Sequence, residues 1–471
     1  MATFASARYE RHSFSRYGKE CRSTLLDVEI DLVRLANEPQ FKKWCAQIER
    51  VGGCERPVYL AGRIDRFNSA GFPVAHYDTS DEPGGRIAVR CRNRRASQCS
   101  SCSYIHAGDS YQIVRSGMVG GKGTPETVNG HPQVFVTLTA PSFGPVHRAN
   151  AHPCRVRAAN YMCQHGRALY CSESHNVDDE MIGSPLCTEC YDYSGQILWH
   201  AHAGELWNRT IRNVRRFLSG AAGIKRSCLN DHVRLTFAKV AEYQRRGAIH
   251  FHAVMRLDGP EGTSSIPPDW ATVGLLQEAV RAARSSSSVH LKDNVAVGAR
   301  TFSWGRQIDV RSLDGDTERP VTGGMVAAYL AKYVSKSVGD SGGVDSPIRS
   351  YEEIRCASAS PHMRSLMGAC WRIGGIAEFS ALRLRAWAHT LGYRGHALTK
   401  SPGYSTTYGR LREVRAEYVR ARKQDSTSAK GILKLSSWRY VGRGYTLAEQ
   451  EVAAGIRHDL QEIQRLKRWG L

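Results

Sequence analysis

The sequence predicts an α+β protein, and the order of its apolar segments is the main evidence for that fold class. Alternating apolar residues predict strands at 134–139, 233–243, 249–257, 289–291 and 307–310. Helical spacing of apolar residues predicts helices at 197–218, 269–284 and 324–336. The resulting order of strand, helix, two strands, helix and strand is that of a ferredoxin-like (RRM-like) sandwich.

The chain is expected to divide into three consecutive segments. Residues 1–130 form an N-terminal helical region with a first cysteine cluster, and residues 131–340 form the core. A second cluster of cysteines and histidines is inserted into the core at 150–195, directly after the first core strand. Residues 341–471 are predicted to be basic and mainly helical, because from residue 381 onward 18 lysines and arginines stand against 7 acidic residues.

The composition is that of a globular protein with a polyanionic partner. Its 471 residues carry 65 lysines and arginines against 44 acidic residues, a formal net charge of +21. A surplus of this size favours nucleic acid as the partner. No apolar run is long enough for a membrane span, and the polar N-terminus lacks the apolar segment of a signal peptide. We therefore expect a cytoplasmic protein without a membrane partner, whose 14 cysteines stay reduced.

Four cysteines in the N-terminal segment have the spacing of a zinc site. Cys99 and Cys102 form a Cys-x2-Cys pair, whose geometry directs two thiolates at one tetrahedral ion. Cys91 precedes the pair in an arginine-rich stretch, and Cys54 is preferred to His106 as the fourth ligand. A closed, thiolate-rich set leaves no open coordination position, so we expect a structural Zn²⁺ rather than a catalytic one.

The inserted segment contains more candidate ligands than one zinc ion needs. The six candidates are Cys163, His165, Cys171, His175, Cys187 and Cys190. We expect the four cysteines to form one structural zinc site, with the two histidines as alternative ligands. Cys154 is expected to be an isolated cysteine outside this site.

A His-x-His motif on a predicted strand is the strongest candidate for a catalytic metal site. His250 and His252 point to the same face because residues i and i+2 of a strand do so, while Phe251 packs into the sheet. Glu242 lies on the preceding strand, and a hairpin turn brings its carboxylate beside the two imidazoles. Two imidazoles and one carboxylate leave open positions on a divalent cation for water and a phosphate oxygen. The alternative is a solvated Glu242 beside ordinary strand histidines.

A helix near residue 330 presents two phenols and two ammonium groups on one side. Tyr329, Lys332, Tyr333 and Lys336 fall within an arc of about 100° at about 100° per residue. Tyrosine can attack phosphorus when a cation lowers its pKa from about 10 or stabilises the charged transition state. The alternative is an amphipathic helix whose polar side simply faces solvent.

Together, the metal motif and the tyrosine helix predict a DNA strand-transfer reaction. The metal polarises a phosphate, a tyrosine displaces the 3′-hydroxyl, and the enzyme keeps the 5′ end as a phosphotyrosyl adduct. Because the bond energy is conserved in the adduct, transfer to a 3′-hydroxyl rejoins the strand. A second tyrosine four residues away would allow a second transfer without release of the first DNA end.

Three stretches of the sequence resemble the three motifs of HUH endonucleases. They are Thr137-Leu138-Thr139-Ala140-Pro141, the turn into His250-Phe251-His252, and Tyr329-x2-Lys332-Tyr333-x2-Lys336. The closer resemblance is to replication initiators of actinobacterial rolling-circle plasmids and integrative elements. It covers roughly residues 25–420 and includes 91–97, Pro185-Leu186-Cys187-x2-Cys190 and Gly395-His396-x2-Thr399-Lys400-Ser401.

The resemblance implies a ferredoxin-like HUH core that nicks one strand of a double-stranded origin. It implies Mg²⁺ or Mn²⁺ held by His250 and His252, with Glu242 at the position of a third ligand. Both Tyr329 and Tyr333 match a tyrosine of the third motif, and Tyr333 is preferred because lysines flank it. The implied partners are origin DNA, single-stranded at the nick, and the host helicase and polymerase.

Two other functions are compatible with parts of this pattern. A single-strand DNA transposase of the same superfamily also combines zinc modules with paired tyrosines. A zinc-stabilised DNA-binding regulator without chemistry explains the charge and the cysteines, but not the coincidence of Glu242, the histidine pair and the tyrosine helix. The sequence therefore favours a plasmid rolling-circle replication initiator, and it does not predict the oligomeric state.

Overall fold

The structure is a computed structural model that describes residues 20–149, 153–155, 161–313, 322–422 and 433–468. The predicted helical character of residues 1–19 lies outside this range. The helices in the described chain are α1 (Glu20–Ala36), α2 (Phe41–Arg50), α3 (Ser100–Val119), α4 (Tyr193–Ala221), α5 (Val273–Ser286), α6 (Gly323–Ser335), α7 (Tyr351–Arg355), α8 (Pro361–Ile373), α9 (Tyr408–Arg422) and α10 (Leu447–Arg468). The strands are β1 (Val58–Phe67), β2 (Pro73–Asp78), β3 (Ile87–Val89), β4 (Gln133–Thr139), β5 (Arg234–Tyr243), β6 (Ile249–Asp258), β7 (Ser288–Leu291), β8 (Arg300–Ser303), β9 (Ile308–Ser312), β10 (Leu398–Lys400) and β11 (Leu433–Arg443). Across these ranges, no helix combines the length and the apolar character that crossing a membrane requires.

The described chain forms two compact units, and each is built from separate stretches of the sequence. The first unit combines residues 20–93, 98–102 and 433–468. The second unit contains residues 94–97 and the described residues between 103 and 422. Residues 341–471, the predicted C-terminal segment, contribute described residues to both units.

The second unit is built around a five-stranded antiparallel sheet. Its strand order is β10-β5-β6-β4-β9, so three of the predicted strands, β4, β5 and β6, lie at its centre. β9 corresponds to the strand predicted at 307–310 and forms one edge. The strand predicted at 289–291 is present as β7, but it pairs with β8 in a separate two-stranded sheet. β10, at the other edge, has only three residues and leaves no clear pattern in the sequence.

Side chains alternate between the two faces of the five-stranded sheet, and helices cover both faces. On one face, Phe251, Ala253 and Met255 of β6 are buried in a core that includes α4, α5 and α8. On the other face, Val254 of β6 and Val240 of β5 pack with apolar residues of α3 and α6. The helix with the predicted tyrosines thus covers the face to which the predicted histidine ligands point.

The first unit contains a strand that the sequence pattern did not reveal. β11 pairs antiparallel with β1, and β1 also pairs with β2 and β3. Most of the described elements within residues 341–471 are helices, and β11 separates the helices α9 and α10 in sequence. The side chains of β11 are mostly exposed and its partner strand lies hundreds of residues earlier, so no local burial pattern marks it.

Candidate active site

β6 places the two histidines of the His-x-His motif on one face of the sheet. Phe251 between them is fully buried in the core on the opposite face. The ring centroids of His250 and His252 lie 5.9 Å apart. His250 pairs with Thr139 of β4, and His252 pairs with Thr137. The strand pairing therefore fixes the spacing of the two imidazoles.

The β5–β6 hairpin brings Glu242 to the histidines. Glu242 pairs with His250 in the strand register, across a turn in which Gly247 adopts the left-handed conformation with φ 71°. Its Oε2 lies 3.0 Å from Nε2 of His252. Its Oε1 lies 3.4 Å from Nζ of Lys336, which donates a hydrogen bond to it. The carboxylate is thus shared between an imidazole and an ammonium group.

Two imidazoles and one carboxylate, those of His250, His252 and Glu242, lie on one face of the sheet. Nε2 of His250 is buried and has no hydrogen-bond partner among the residues that the structure describes. Burial, followed by the charges of His252 and Arg246, lowers the pKa of His250 to about 3, so its imidazole stays neutral. A neutral imidazole offers a lone pair to a metal, and a mixed nitrogen and oxygen set suits divalent metal ions.

α6 directs two tyrosines at His252. The helix begins after Thr322, whose side chain accepts a hydrogen bond from the amide of Met325. Its buried apolar side consists of Val326, Ala327, Leu330, Ala331 and Val334. The ring centroids of Tyr329 and Tyr333 lie 5.3 Å and 5.4 Å from that of His252. The two phenol rings are 4.7 Å apart, so the structure brings both predicted tyrosines to the candidate metal ligands.

The two tyrosines differ in their electrostatic surroundings. Nζ of Lys336 lies 4.7 Å from the ring centroid of Tyr333. Burial raises the pKa of Tyr329 well above its usual value, and a hydrogen bond with Tyr333 and the charge of Glu242 raise it further. Lys332 lies on the same helix, and its side chain is exposed. The ammonium group beside Tyr333 is therefore that of Lys336, which follows the last residue of α6.

Arg94 holds the end of α6, a role that the sequence does not reveal. Its Nη1 donates hydrogen bonds to the carbonyl oxygens of Val334 at 2.8 Å and Lys336 at 2.7 Å. Carbonyls in the last turn of a helix lack partners within the helix, and a nearby cation also suits the helix dipole. The guanidinium thus fixes the segment that carries Tyr333 and Lys336. In the sequence, what points to Arg94 is its position in the stretch 91–97, which resembles replication initiators.

A groove of about 1020 Å³ lies beside His250. Its lining includes five arginines, Arg148, Arg155, Arg245, Arg246 and Arg306. The guanidinium of Arg246 donates hydrogen bonds to two carbonyl oxygens of residues 140–141, whereas Arg148 and Arg306 are exposed. The groove therefore concentrates positive charge next to a candidate metal ligand.

The first unit contains the predicted four-cysteine cluster. The Sγ atoms of its members lie within 4.8 Å of one another, and the members are Cys54, Cys91, Cys99 and Cys102. Sγ of Cys54 is 3.8 Å from that of Cys99 and 3.6 Å from that of Cys102. A tetrahedral site with zinc–sulfur bonds of about 2.3 Å has sulfur–sulfur edges of about 3.8 Å, so the arrangement fits zinc. Cys54 is the fourth member of this cluster, and His106 is not.

The inserted segment, together with His147 just before it, contains two clusters of metal-ligand side chains, not one. In each cluster the candidate ligand atoms lie within 4.8 Å of one another. The first cluster consists of Cys163, His165, Cys187 and Cys190. The second cluster consists of His147, Cys154, Cys171 and His175. Each cluster therefore has the four ligands that a tetrahedral ion needs.

This arrangement departs from the single four-cysteine site expected from the sequence. Cys171 lies opposite Arg155 in a β-bridge, which places it beside Cys154. Cys154 is therefore not isolated. His165 takes the fourth position beside the other three cysteines, with its Nδ1 3.3 Å from Sγ of Cys190. Backbone pairing, and not spacing along the chain, decides which ligands meet.

The chain belongs to a family of replication initiators. The family model described as "Replication initiator protein, pSAM2" (RepSA) matches residues 40–458, and the chain is a member of that family. A curated replication initiator protein from Streptomyces ambofaciens is 42% identical over 453 residues, which cover 93% of this chain and 95% of the relative. No solved structure matches the chain. The resemblance to replication initiators indicated by the sequence motifs is therefore confirmed.

Proposed function

We propose that this replication initiator starts plasmid rolling-circle replication by nicking one DNA strand at the origin with a tyrosine. The observation that carries the proposal is the meeting of a metal-ligand set with two tyrosines on one sheet face. Glu242 and the histidine pair supply the ligand set, and the rings of Tyr329 and Tyr333 lie within 5.4 Å of the His252 ring. A protein that only binds DNA does not need this arrangement.

The order of elements in the second unit supports an HUH-type, ferredoxin-like core. The elements β4, α4, β5, β6, α5 and β9 occur in this order along the chain, with the small β7–β8 sheet between α5 and β9. The strands are arranged in the antiparallel order β5-β6-β4-β9, and both helices pack against one face. This order supports the proposed split β-α-β arrangement of a ferredoxin-like fold, with β10 as an additional edge strand.

His250, His252 and Glu242 are the proposed ligands of Mg²⁺ or Mn²⁺. Nε2 of His250 is buried and has no partner in the described part of the chain, which supports this assignment because a buried polar atom without a partner is costly unless something binds to it. Thr137 orients the second imidazole, since its hydroxyl lies 3.1 Å from Nδ1 of His252. A bound ion would polarise the scissile phosphate and offset its developing charge.

Tyr333 is the proposed first nucleophile. Its phenolic oxygen attacks the phosphorus, the bond from phosphorus to the 3′-oxygen breaks, and the 3′-oxygen leaves and takes up a proton. The 5′ phosphate stays joined to Tyr333, so the step needs no oxidant or reductant. The ammonium of Lys336, 4.7 Å from the ring centroid, stabilises negative charge on the phenolate. The exposed Lys332 is proposed to contact DNA phosphates.

Tyr329 is proposed to act second. Its raised pKa makes the Tyr329 phenol harder to ionise while both tyrosines are free. Its ring lies 4.7 Å from that of Tyr333, so it can take up a second DNA end while the first stays covalently bound. The 3′-hydroxyl freed by the nick can serve as a primer for DNA synthesis. For this reason we propose the host polymerase and a host helicase as partners.

The arginine-lined groove is the proposed binding surface for the single DNA strand. Its charge suits a phosphate backbone, and it lies beside the metal ligand His250. Structural zinc is proposed at two of the clusters, because closed four-ligand sets leave no open coordination position. Their ligands are Cys54, Cys91, Cys99 and Cys102 in the first unit, and Cys163, His165, Cys187 and Cys190 in the inserted segment.

A nicking assay tests the proposal. The purified protein is incubated with supercoiled and single-stranded DNA that contains its origin, with Mn²⁺ or with EDTA. We expect a nick and a covalent protein–DNA adduct on a denaturing gel with Mn²⁺ only, and loss of the adduct in Tyr333→Phe. Persistence in Tyr333→Phe with loss in Tyr329→Phe would reverse the order of the tyrosines. Tight origin binding without any nick or adduct would leave a DNA-binding regulator.

The family assignment favours an initiator over a transposase, because the matched family and the relative are both described as replication initiators. The two functions differ in the DNA that they cut. An initiator cuts at a plasmid origin, whereas a transposase cuts at the ends of a mobile element. Cleavage of element ends in preference to origin DNA would overturn the initiator proposal.

A further inference from the structure

We propose a third zinc site, formed by the inserted segment and His147 just before it, with the ligands His147, Cys154, Cys171 and His175. It is separate from the two clusters assigned to zinc above, and the sequence spacing did not indicate it. Two thiolates and two imidazoles are a donor set typical of structural zinc. The assignment of zinc to this site does not depend on the nicking reaction.

The distances between the ligand atoms fit a tetrahedral ion. Nδ1 of His147 lies 3.0 Å from Nε2 of His175, and Sγ of Cys171 lies 3.4 Å from the same nitrogen. Zinc bonds of about 2.0 Å to nitrogen and about 2.3 Å to sulfur give edges of about 3.3 Å between nitrogens and about 3.5 Å between nitrogen and sulfur. Small shifts of the side chains are therefore enough to accept an ion.

Two surrounding contacts prepare these side chains to act as ligands. Asp179 accepts a hydrogen bond from Nδ1 of His175 at 2.7 Å, which leaves Nε2 as the metal-binding nitrogen. Asp179 is itself held by the amide of Met181 at 2.8 Å. The amide of Arg148 donates a hydrogen bond to Sγ of Cys154 at 3.0 Å, which favours the thiolate. A carboxylate that accepts a hydrogen bond from a histidine ligand and a backbone amide that donates to a cysteine sulfur are both typical of metal sites.

Backbone contacts bring the ligands together from separate stretches of the chain. The β-bridge between Arg155 and Cys171 joins two of these stretches, and the amide of Gly183 donates to the carbonyl of His147 at 3.1 Å. Cys154 and His175 are each only 3% exposed. Burial of so many polar side chains is costly unless they are paired, and one zinc ion satisfies all four.

The third site adjoins the arginine-lined groove. His147 lines the groove, and so do Arg148 and Arg155, which directly follow two of the ligands in sequence. Zinc would therefore hold one wall of the groove in shape. This consequence rests on the proposed function, which assigns the groove to the DNA strand, whereas the zinc site itself does not.

Zinc analysis of the full-length protein tests the site. We expect three zinc ions per chain by inductively coupled plasma mass spectrometry, and two in Cys154→Ser. Cys356→Ser removes an exposed cysteine outside the clusters and should retain three ions. Equal zinc contents in the wild type and in Cys154→Ser would overturn the proposal, as would a disulfide between Cys154 and Cys171 in the freshly purified protein.

Two milder variants keep the test decisive where Cys154→Ser fails to fold. Cys154→His keeps a zinc-binding donor and should retain three ions. Asp179→Asn keeps all four ligands and should weaken zinc binding at this site by about 10- to 100-fold in competition with a chelator. Unchanged zinc affinity in Asp179→Asn would contradict the assignment of zinc to these ligands.

Affinity for single-stranded DNA tests the effect on the groove wall. In Asp179→Asn, chelation of the weakened ion should reduce this affinity, and added Zn²⁺ should restore it. Zinc loss with unchanged DNA affinity would overturn the role in the groove and leave the zinc site standing. The zinc content is measured without DNA and does not depend on nicking. A negative zinc result would therefore overturn the third site without affecting the proposed function.

Discussion

The guanidinium of Arg94 donates a hydrogen bond to the backbone carbonyl of Lys336, with Nη1 2.7 Å from the oxygen. The same nitrogen donates to the carbonyl of Val334 at 2.8 Å. α6 ends at Ser335, so these contacts hold the point at which the helix gives way to extended backbone. Because Lys336 reaches both Glu242 and the Tyr333 ring from this point, we expect Arg94 to be a positioning residue for the candidate active site.

Replacement of Arg94 should slow nicking without weakening DNA binding. Without Arg94, the end of α6 can shift and move Tyr333 out of line with the phosphorus. Such a small displacement slows a reaction strongly, so we expect Arg94→Ala to lower the single-turnover nicking rate by about 10- to 100-fold. Arg94→Lys should recover part of the rate. The matched control is Arg355→Ala, at an exposed arginine paired with Glu352. Equal rates for the wild type and Arg94→Ala would contradict the positioning role.

Glu242→Gln should weaken binding of the proposed catalytic metal and also remove the ion pair with Lys336. The amide keeps the shape of the side chain but removes a charged ligand, so the Mn²⁺ concentration for half-maximal nicking should rise by about 10-fold or more. High Mn²⁺ should restore part of the rate. Lys332→Gln, on the exposed side of α6, should leave the Mn²⁺ dependence unchanged. An unchanged Mn²⁺ requirement in Glu242→Gln would remove Glu242 from the ligand set.

The candidate active site could be predicted because each part of it is a local pattern. His250 and His252 share a face through the two-residue period of a strand, and Tyr329 and Tyr333 share one through the helical period. The position of Glu242 beside the histidines could be predicted because a short hairpin joins the two strands. In the structure, the histidine pair of β6 and the tyrosines of α6 lie on the same face of the sheet.

Contacts between distant parts of the chain could not be predicted in this way. Cys171 lies beside Cys154 because of a β-bridge, whereas spacing along the chain grouped Cys171 with Cys163, Cys187 and Cys190. Arg94 and Lys336 are far apart in sequence, and no periodicity links them. β11 reads as an exposed stretch until its pairing with β1 is known.

His200 should make the second unit less stable in mild acid. Its side chain is buried in α4, its Nδ1 donates to the carbonyl of Leu391 at 2.8 Å, and burial lowers its pKa to about 4. The unfolded chain binds a proton at a pKa of about 6.5, so the unfolded state takes up more protons as the pH falls from there towards 4. This single group should cost about 2 kcal/mol of unfolding free energy between pH 7 and pH 5.

The measurement is urea unfolding at pH 7, 6 and 5, followed by tryptophan fluorescence. His200→Asn keeps a donor for the Leu391 carbonyl but does not titrate, so its unfolding free energy should fall less with pH than that of the wild type. His202→Asn, on the same helix and partly exposed, serves as the control and should follow the wild type. Parallel pH profiles for the wild type and His200→Asn would exclude His200 as a source of the acid sensitivity.

The exposed arginines of the groove should set the salt dependence of single-stranded DNA binding. Arg148 and Arg306 line the groove and are exposed, so each is free to meet a phosphate. Removal of one phosphate contact lowers the slope of log affinity against log salt concentration by about 0.7 for a single strand. We therefore expect Arg148→Ala and Arg306→Ala each to lower the slope by about that amount and the double variant by about twice as much. Arg355→Ala, outside the groove, should leave the slope unchanged, and an unchanged slope in the double variant would exclude this groove as the path of the DNA strand.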